Sequence, residues 1–158
     1  MISLTPLVEH LRPQPAGFAH LWFRLVGQAA DYAQLHVQEL PLPACWVVRA
    51  ADQVQRAGER AANGSFAFDV VIAIENVRMS DTRSTDDDLL DYRRAVLARL
   101  EGWEIEPNVR PIQWRGGKAL EYTDGDIYWA DRYTLDALVT NYLPDPLPFG
   151  GLANTGDI

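Results

Sequence analysis

Between residues 84 and 103 the apolar side chains recur every three or four positions. Leu89, Tyr92, Val96, Leu100 and Trp103 share one stripe, which predicts a helix with that stripe buried in a core. Ser84 and Thr85 each stand three residues before an acid, as in a capping box with Asp in place of Glu. Asp86, Asp87 and Asp88 crowd the first turns and Arg93, Arg94 and Arg99 the second half, the order that the helix dipole favours. Gly102 is placed for the left-handed position after the last turn.

Elsewhere the period is two. Over Ser65–Arg78, Phe66, Phe68, Val70, Ile72 and Ile74 alternate with Ala67, Asp69, Val71, Ala73 and Glu75. This is a strand with one apolar face and one half-apolar face, the second meeting solvent or another subunit. Ile127–Val139 alternates similarly, interrupted by Asp131, and is paired by an Asp124-Gly-Asp126 hairpin turn with Lys118–Thr123. Further strands are expected at His20–Val26, at Ala44–Arg49 behind Pro41 and Pro43, and at Val109–Trp114, with a turn at Gly116-Gly117. Thr5-Pro6 opens a short first helix carrying Leu7, Val8 and Leu11. Gly27–His36 gives a faint second helix. Ala50–Gly64 is polar and reads as an exposed connection, with Asn63-Gly-Ser65 as a turn. The fold class is α+β: a single domain with a mostly antiparallel sheet of about five strands, one long helix packed on one face and the shorter N-terminal helix. The domain is expected over residues 1–143. Residues 144–158, with three prolines and three glycines, form a tail without a fold of its own.

The β-run Phe68–Val77, the helix Leu89–Trp103 reading L-x-x-x-R-R-A-V-x-x-x-L-x-G-W, and the strand Ile127–Leu138 after its Asp-Gly turn come in a telling order. Together they resemble the tail-terminator family of long-tailed bacteriophages, over roughly Met1–Tyr142. The residues after Gly-Trp depart from it: Glu104-Ile-Glu-Pro107 stands where an earlier proline is expected, and the tail lies beyond it.

The resemblance implies a structural virion protein without catalysis or cofactor. It would form a ring, expected to be six-fold, that caps the head-proximal end of the tail tube, ends polymerisation and offers a surface for head joining. The implied partners are further copies of itself, the tail tube protein, a neck or head-completion protein and, in a contractile tail, the sheath protein. The implied location is the virion tail, after assembly in the host cytoplasm. A ring needs heterologous contacts between two different surfaces. Patterning nominates Asp69, Val71 and Glu75 on the half-apolar strand face, and Asp131, Tyr133 and Leu135 on the later alternating arm. Trp103 is expected as a packing anchor. The alternatives are another neck or head–tail completion protein and, in a different class, a small cytosolic enzyme or ligand-binding domain.

Composition narrows this choice. At 158 residues the chain suits one domain that buries roughly 70% of its unfolded surface. Its net charge of −8 opposes direct nucleic-acid binding, which requires a basic stripe. The single cysteine, Cys45, lies in the apolar run Ala44–Val48 and reads as a buried small hydrophobe in a reducing cytosol. No signal peptide and no membrane span is expected.

The polar clusters along the chain have structural explanations. Asp81, Asp86, Asp87, Asp88 and Asp91 are explained by capping and dipole, since Asp86 and Asp88 point away from the face shared by Asp87 and Asp91. Arg115-Gly-Gly-Lys118 lacks the earlier glycine and following hydroxyl of a phosphate loop. His10, His20 and His36 lack zinc-site spacing. Trp22, Trp46, Trp114 and Trp129 fall within expected strands, so core packing is the default, with one or two of them open to subunit contacts, where Trp is enriched.

Overall fold

The computed structural model describes residues 2–33, 41–76, 84–123 and 125–140. Its elements are α1 (Thr5–Leu11), β1 (Leu25–Gln28), α2 (Ala29–Ala33), β2 (Ala44–Arg56), β3 (Ala61–Glu75), α3 (Thr85–Leu100), β4 (Gln113–Tyr122) and β5 (Asp126–Thr140). The strands make one five-stranded sheet in the order β1-β2-β3-β5-β4. β1 runs parallel to β2, and every other pairing is antiparallel. The domain is thus the expected α+β fold. His36, Asp81, Asp124 and the tail 144–158 lie outside the described residues.

One sheet face carries the helices. Phe66, Phe68, Val70, Ile72 and Ile74 of β3 pack with Leu7, Val8 and Leu11 of α1 and with Leu89, Tyr92, Val96 and Leu100 of α3. Alternation along β3 and the three-to-four spacing along α3 meet in this core, as their periods require. The Ser84 hydroxyl caps α3, accepting from the Asp87 N–H at 3.2 Å and donating to the Asp87 carboxylate at 2.9 Å. Gly102, at φ +79°, turns the chain out of the helix. Trp103 is half-buried against the core, its ring stacked on His10 at 3.8 Å. Below it Arg99 donates to the His10 carbonyl at 2.7 Å, tying the C-terminal ends of α1 and α3 together.

The opposite face has its own apolar layer: Leu42, Ala44, Trp46, Val71, Ala73 and Ala130 are all buried. The half-apolar appearance of β3 therefore reflects a second core layer inside this chain. Cys45 is fully buried as expected, and burial pushes its thiol pKa up.

Several boundaries differ from expectation. The polar stretch 50–64 is strand for most of its length, because β2 continues to Arg56 and pairs with β3 back to Ala62. Asn63-Gly-Ser65 lies inside β3, where the Phe66 ring folds over Gly64 into the space that a Cβ would take. Gly116-Gly117 does not end a strand. β4 runs through both glycines, with its register shifting between Trp114 and Gly117, so the pair makes a bulge. The expected strand at Val109 is a single bridge to Ala137. The strand expected at 20–26 begins only at Leu25, and Trp22 and Phe23 are buried ahead of it.

Strand length has a geometric consequence. β3 and β5 each hold 15 residues, about 50 Å of extended chain. α3 holds 16 residues but spans only about 24 Å. The far parts of β2, β3 and β5 therefore project beyond the helix as a three-stranded arm, and residues 50–60 are exposed throughout.

Candidate functional site

Val71, Asp131, Tyr133 and Leu135 are 3%, 2%, 1% and 2% exposed. They are interior groups of the subunit and offer a neighbour no side-chain surface. Val71 belongs to the second apolar layer, while Tyr133 and Leu135 belong to the main core, with Tyr133 stacked on Phe68 at 5.7 Å. Asp69 and Glu75 remain accessible on β3. Asp69 accepts two bonds from Arg132, its cross-strand partner, at 2.8 and 3.0 Å.

Asp131 interrupts the apolar alternation of β5 because it is the buried partner of Arg93. The guanidinium donates to both carboxylate oxygens at 2.9 Å and lies 4.3 Å from the centre of the Trp129 ring. The Trp114 indole N–H adds a third bond to Asp131 at 3.1 Å. The bond to Asp131 raises the Arg93 pKa further above its ordinary value. Gly117 makes room for the group, because a Cβ there would collide with the Asp131 carboxylate and the Trp129 ring. One arginine of the Arg93-Arg94 pair is thus a fastener between α3 and the β4–β5 edge. A bidentate pair fixes orientation as well as distance.

Among the described residues two apolar regions are bare besides the lone Leu21, and each overlaps a segment that the sequence pattern opens to contact, Leu138 within Ile127–Val139 and Trp114 among the tryptophans. The first is the arm, where Val54 and Leu138 are 65% and 58% exposed. A groove of about 590 Å³ runs between Gln53–Gln55, Asn63–Ser65, Arg110 and Asp136–Leu138. The second is the edge strand β4, which exposes Trp114, Leu120 and Tyr122. Trp114 is therefore not a core side chain, although its N–H is used inside the subunit. The signal for the arm was the strand-compatible alternation of Ala51, Gln53 and Gln55 with Val54, hidden by its polarity. Along β4 the bulge breaks the two-residue period.

The β3–β5 end near the hairpin is acidic. Burial, with Glu75 and Glu121 nearby, raises the Asp126 carboxyl above its usual range. Glu75 and Asp126 stand directly opposite each other in the ladder. Among the described residues no helix is long and apolar enough to cross a membrane.

Comparison of the chain with curated proteins yields no match. Comparison with family models matches residues 1–142 to the family described as phage tail terminator protein. That span takes in every described element of the fold. The match extends over most of the 158 residues, so the chain belongs to the phage tail terminator family, a family of structural tail proteins.

Proposed function

We propose that this protein assembles into a closed, six-fold ring on the head-proximal end of the tail tube, stops tube growth and presents the surface to which the neck joins. The family match over residues 1–142 carries this reading. The partners would be identical subunits, the tube protein and a neck protein, with a sheath protein in a contractile tail. Its place would be the virion tail. Contact and geometry suffice for such a role, with no catalytic step.

The exposed surfaces supply what a ring requires. A heterologous contact joins two unlike patches, and the arm and the β4 edge are two unlike patches with bare apolar groups. In the proposed interface the end of the arm, which bears Val54 on one sheet face and Leu138 on the other, seats on the β4 edge of the next subunit around Leu120 and Tyr122. Asp69 and Glu75 belong to its polar rim.

Deletion of the gene from its phage or prophage, with tail lengths measured by negative-stain electron microscopy, tests the function. Overlong, variable tubes that fail to join heads are expected. Tails of normal length lacking heads would point to a neck or completion protein, and normal infectious particles would refute any such role.

A further inference from the structure

We propose that His20, Asp88 and Asp91 form a binding site for a first-row divalent cation, Zn²⁺ being the best fit, which ties the chain ahead of β1 to α3. His20 Nε2 lies 2.8 Å from an Asp91 carboxylate oxygen and 3.6 Å from one of Asp88. One ligand atom from each of the three residues falls within 4.8 Å of the others. A tetrahedral zinc with bonds near 2.1 Å places its ligand atoms roughly 3.4 Å apart, so small side-chain adjustments complete the geometry. One imidazole with two carboxylates is a donor set for zinc or a neighbouring transition ion rather than for magnesium or calcium, which take oxygen.

Three further observations favour a site over an incidental ion pair. The imidazole is held in place, with Phe18 edge-on at 5.6 Å and the Tyr92 ring at 5.8 Å. Contrary to the expectation from the sequence, Asp88 converges with Asp91 on His20, and Asp91 lies in the second turn of α3, beyond the first turn over which the helix dipole accounts for an acid. Beside the three residues opens a crevice of about 250 Å³ lined by His20, Asp88 and Tyr92 together with Arg24 and Glu75. It supplies an entry path and room for a water at the remaining coordination position, as open three-ligand sites require.

The test is isothermal titration of the full, tag-free chain with ZnCl₂, alongside melting curves with and without the metal. Wild type is expected to bind one equivalent. At a free concentration about 100 times Kd, its Tm should rise by roughly 5 °C or more. His20→Gln and Asp91→Asn should each weaken binding at least about 10-fold. Co²⁺ should give visible d–d bands in wild type that both variants lose, a readout independent of stability. Absence of saturable Zn²⁺ uptake by wild type would overturn the proposal and leave a His–Asp ion pair. Uptake undiminished in His20→Gln would overturn it too, by placing the metal elsewhere.

Discussion

Asp131 shows how much one buried carboxylate can fix. At 2% exposed it holds Arg93, the Trp114 N–H and, through the space it needs, the glycine at 117. Removing one partner of a buried pair strands the other's charge and costs about 3–5 kcal/mol. Arg93 keeps 20% of its side chain exposed, so Asp131→Ala should fall near the lower figure, about 3 kcal/mol. That is roughly 6–12 °C of melting temperature for a domain of this size. The double change Arg93→Met, Asp131→Leu should recover most of it, and a thermal melt of the three proteins checks both statements. The Asp69–Arg132 pair is a contrasting case: with Arg132 48% exposed, a surface pair of this kind contributes at most about 1 kcal/mol. Asp126 has the opposite sign. Its carboxyl is raised by burial and by Glu75 and Glu121, so the folded state holds its proton more tightly than the unfolded chain does. Ionisation therefore destabilises the fold above the folded pKa, and the penalty disappears as pH falls below the unfolded one. Asp126→Asn should raise Tm at neutral pH, and that gain should vanish by about pH 3, which paired melts at the two pH values will read.

The helix α3 was legible in the sequence nearly to the residue, because its cap, its dipole order and its stripe all act within a few positions of one another. Ser84 is the member of the two offered caps that closes on its acid. Ser84→Ala should cost about 1 kcal/mol, with the loss appearing first as weakened amide protection over residues 87 and 88 in hydrogen exchange. The strands were legible where one face is greasy, as in β3, and illegible where both faces are wet, as in 50–60. There pairing is decided by a partner strand, not by burial, so hydropathy carries no mark of it. Four of the six nominated contact residues, Val71, Asp131, Tyr133 and Leu135, are buried for a related reason. Alternation locates a strand face but does not say whether the same chain covers it, and a second apolar layer covers Val71 here. Asp131 looked like an interruption in a surface strand, whereas its reason sits on α3, 38 residues away in sequence. The histidine cluster escaped in the same way, with His20 and Asp91 separated by 71 positions.

For the whole molecule, the proposed ring makes the arm the decisive region. Val54→Asp with Leu138→Asp alters two exposed side chains outside either core, and such surface changes lie within about 0.5 kcal/mol. Tm should hold while tails lengthen, and normal tail lengths in a phage carrying this double variant would remove the arm from the interface. The sheet order bears on a different moment in the protein's life. β3 sits at the centre, with β2 immediately before it and β5 beyond α3 and β4. During synthesis at about 5–20 residues per second, residue 140 follows residue 75 by roughly 3–13 s. Throughout that interval β3 has one long edge unpaired, and a lone β-hairpin is marginal in water. An open edge accepts any strand of matching pattern, including the same strand of another unfinished copy. Timing on the ribosome, not stability once folded, is therefore where this subunit is most exposed to the wrong partner.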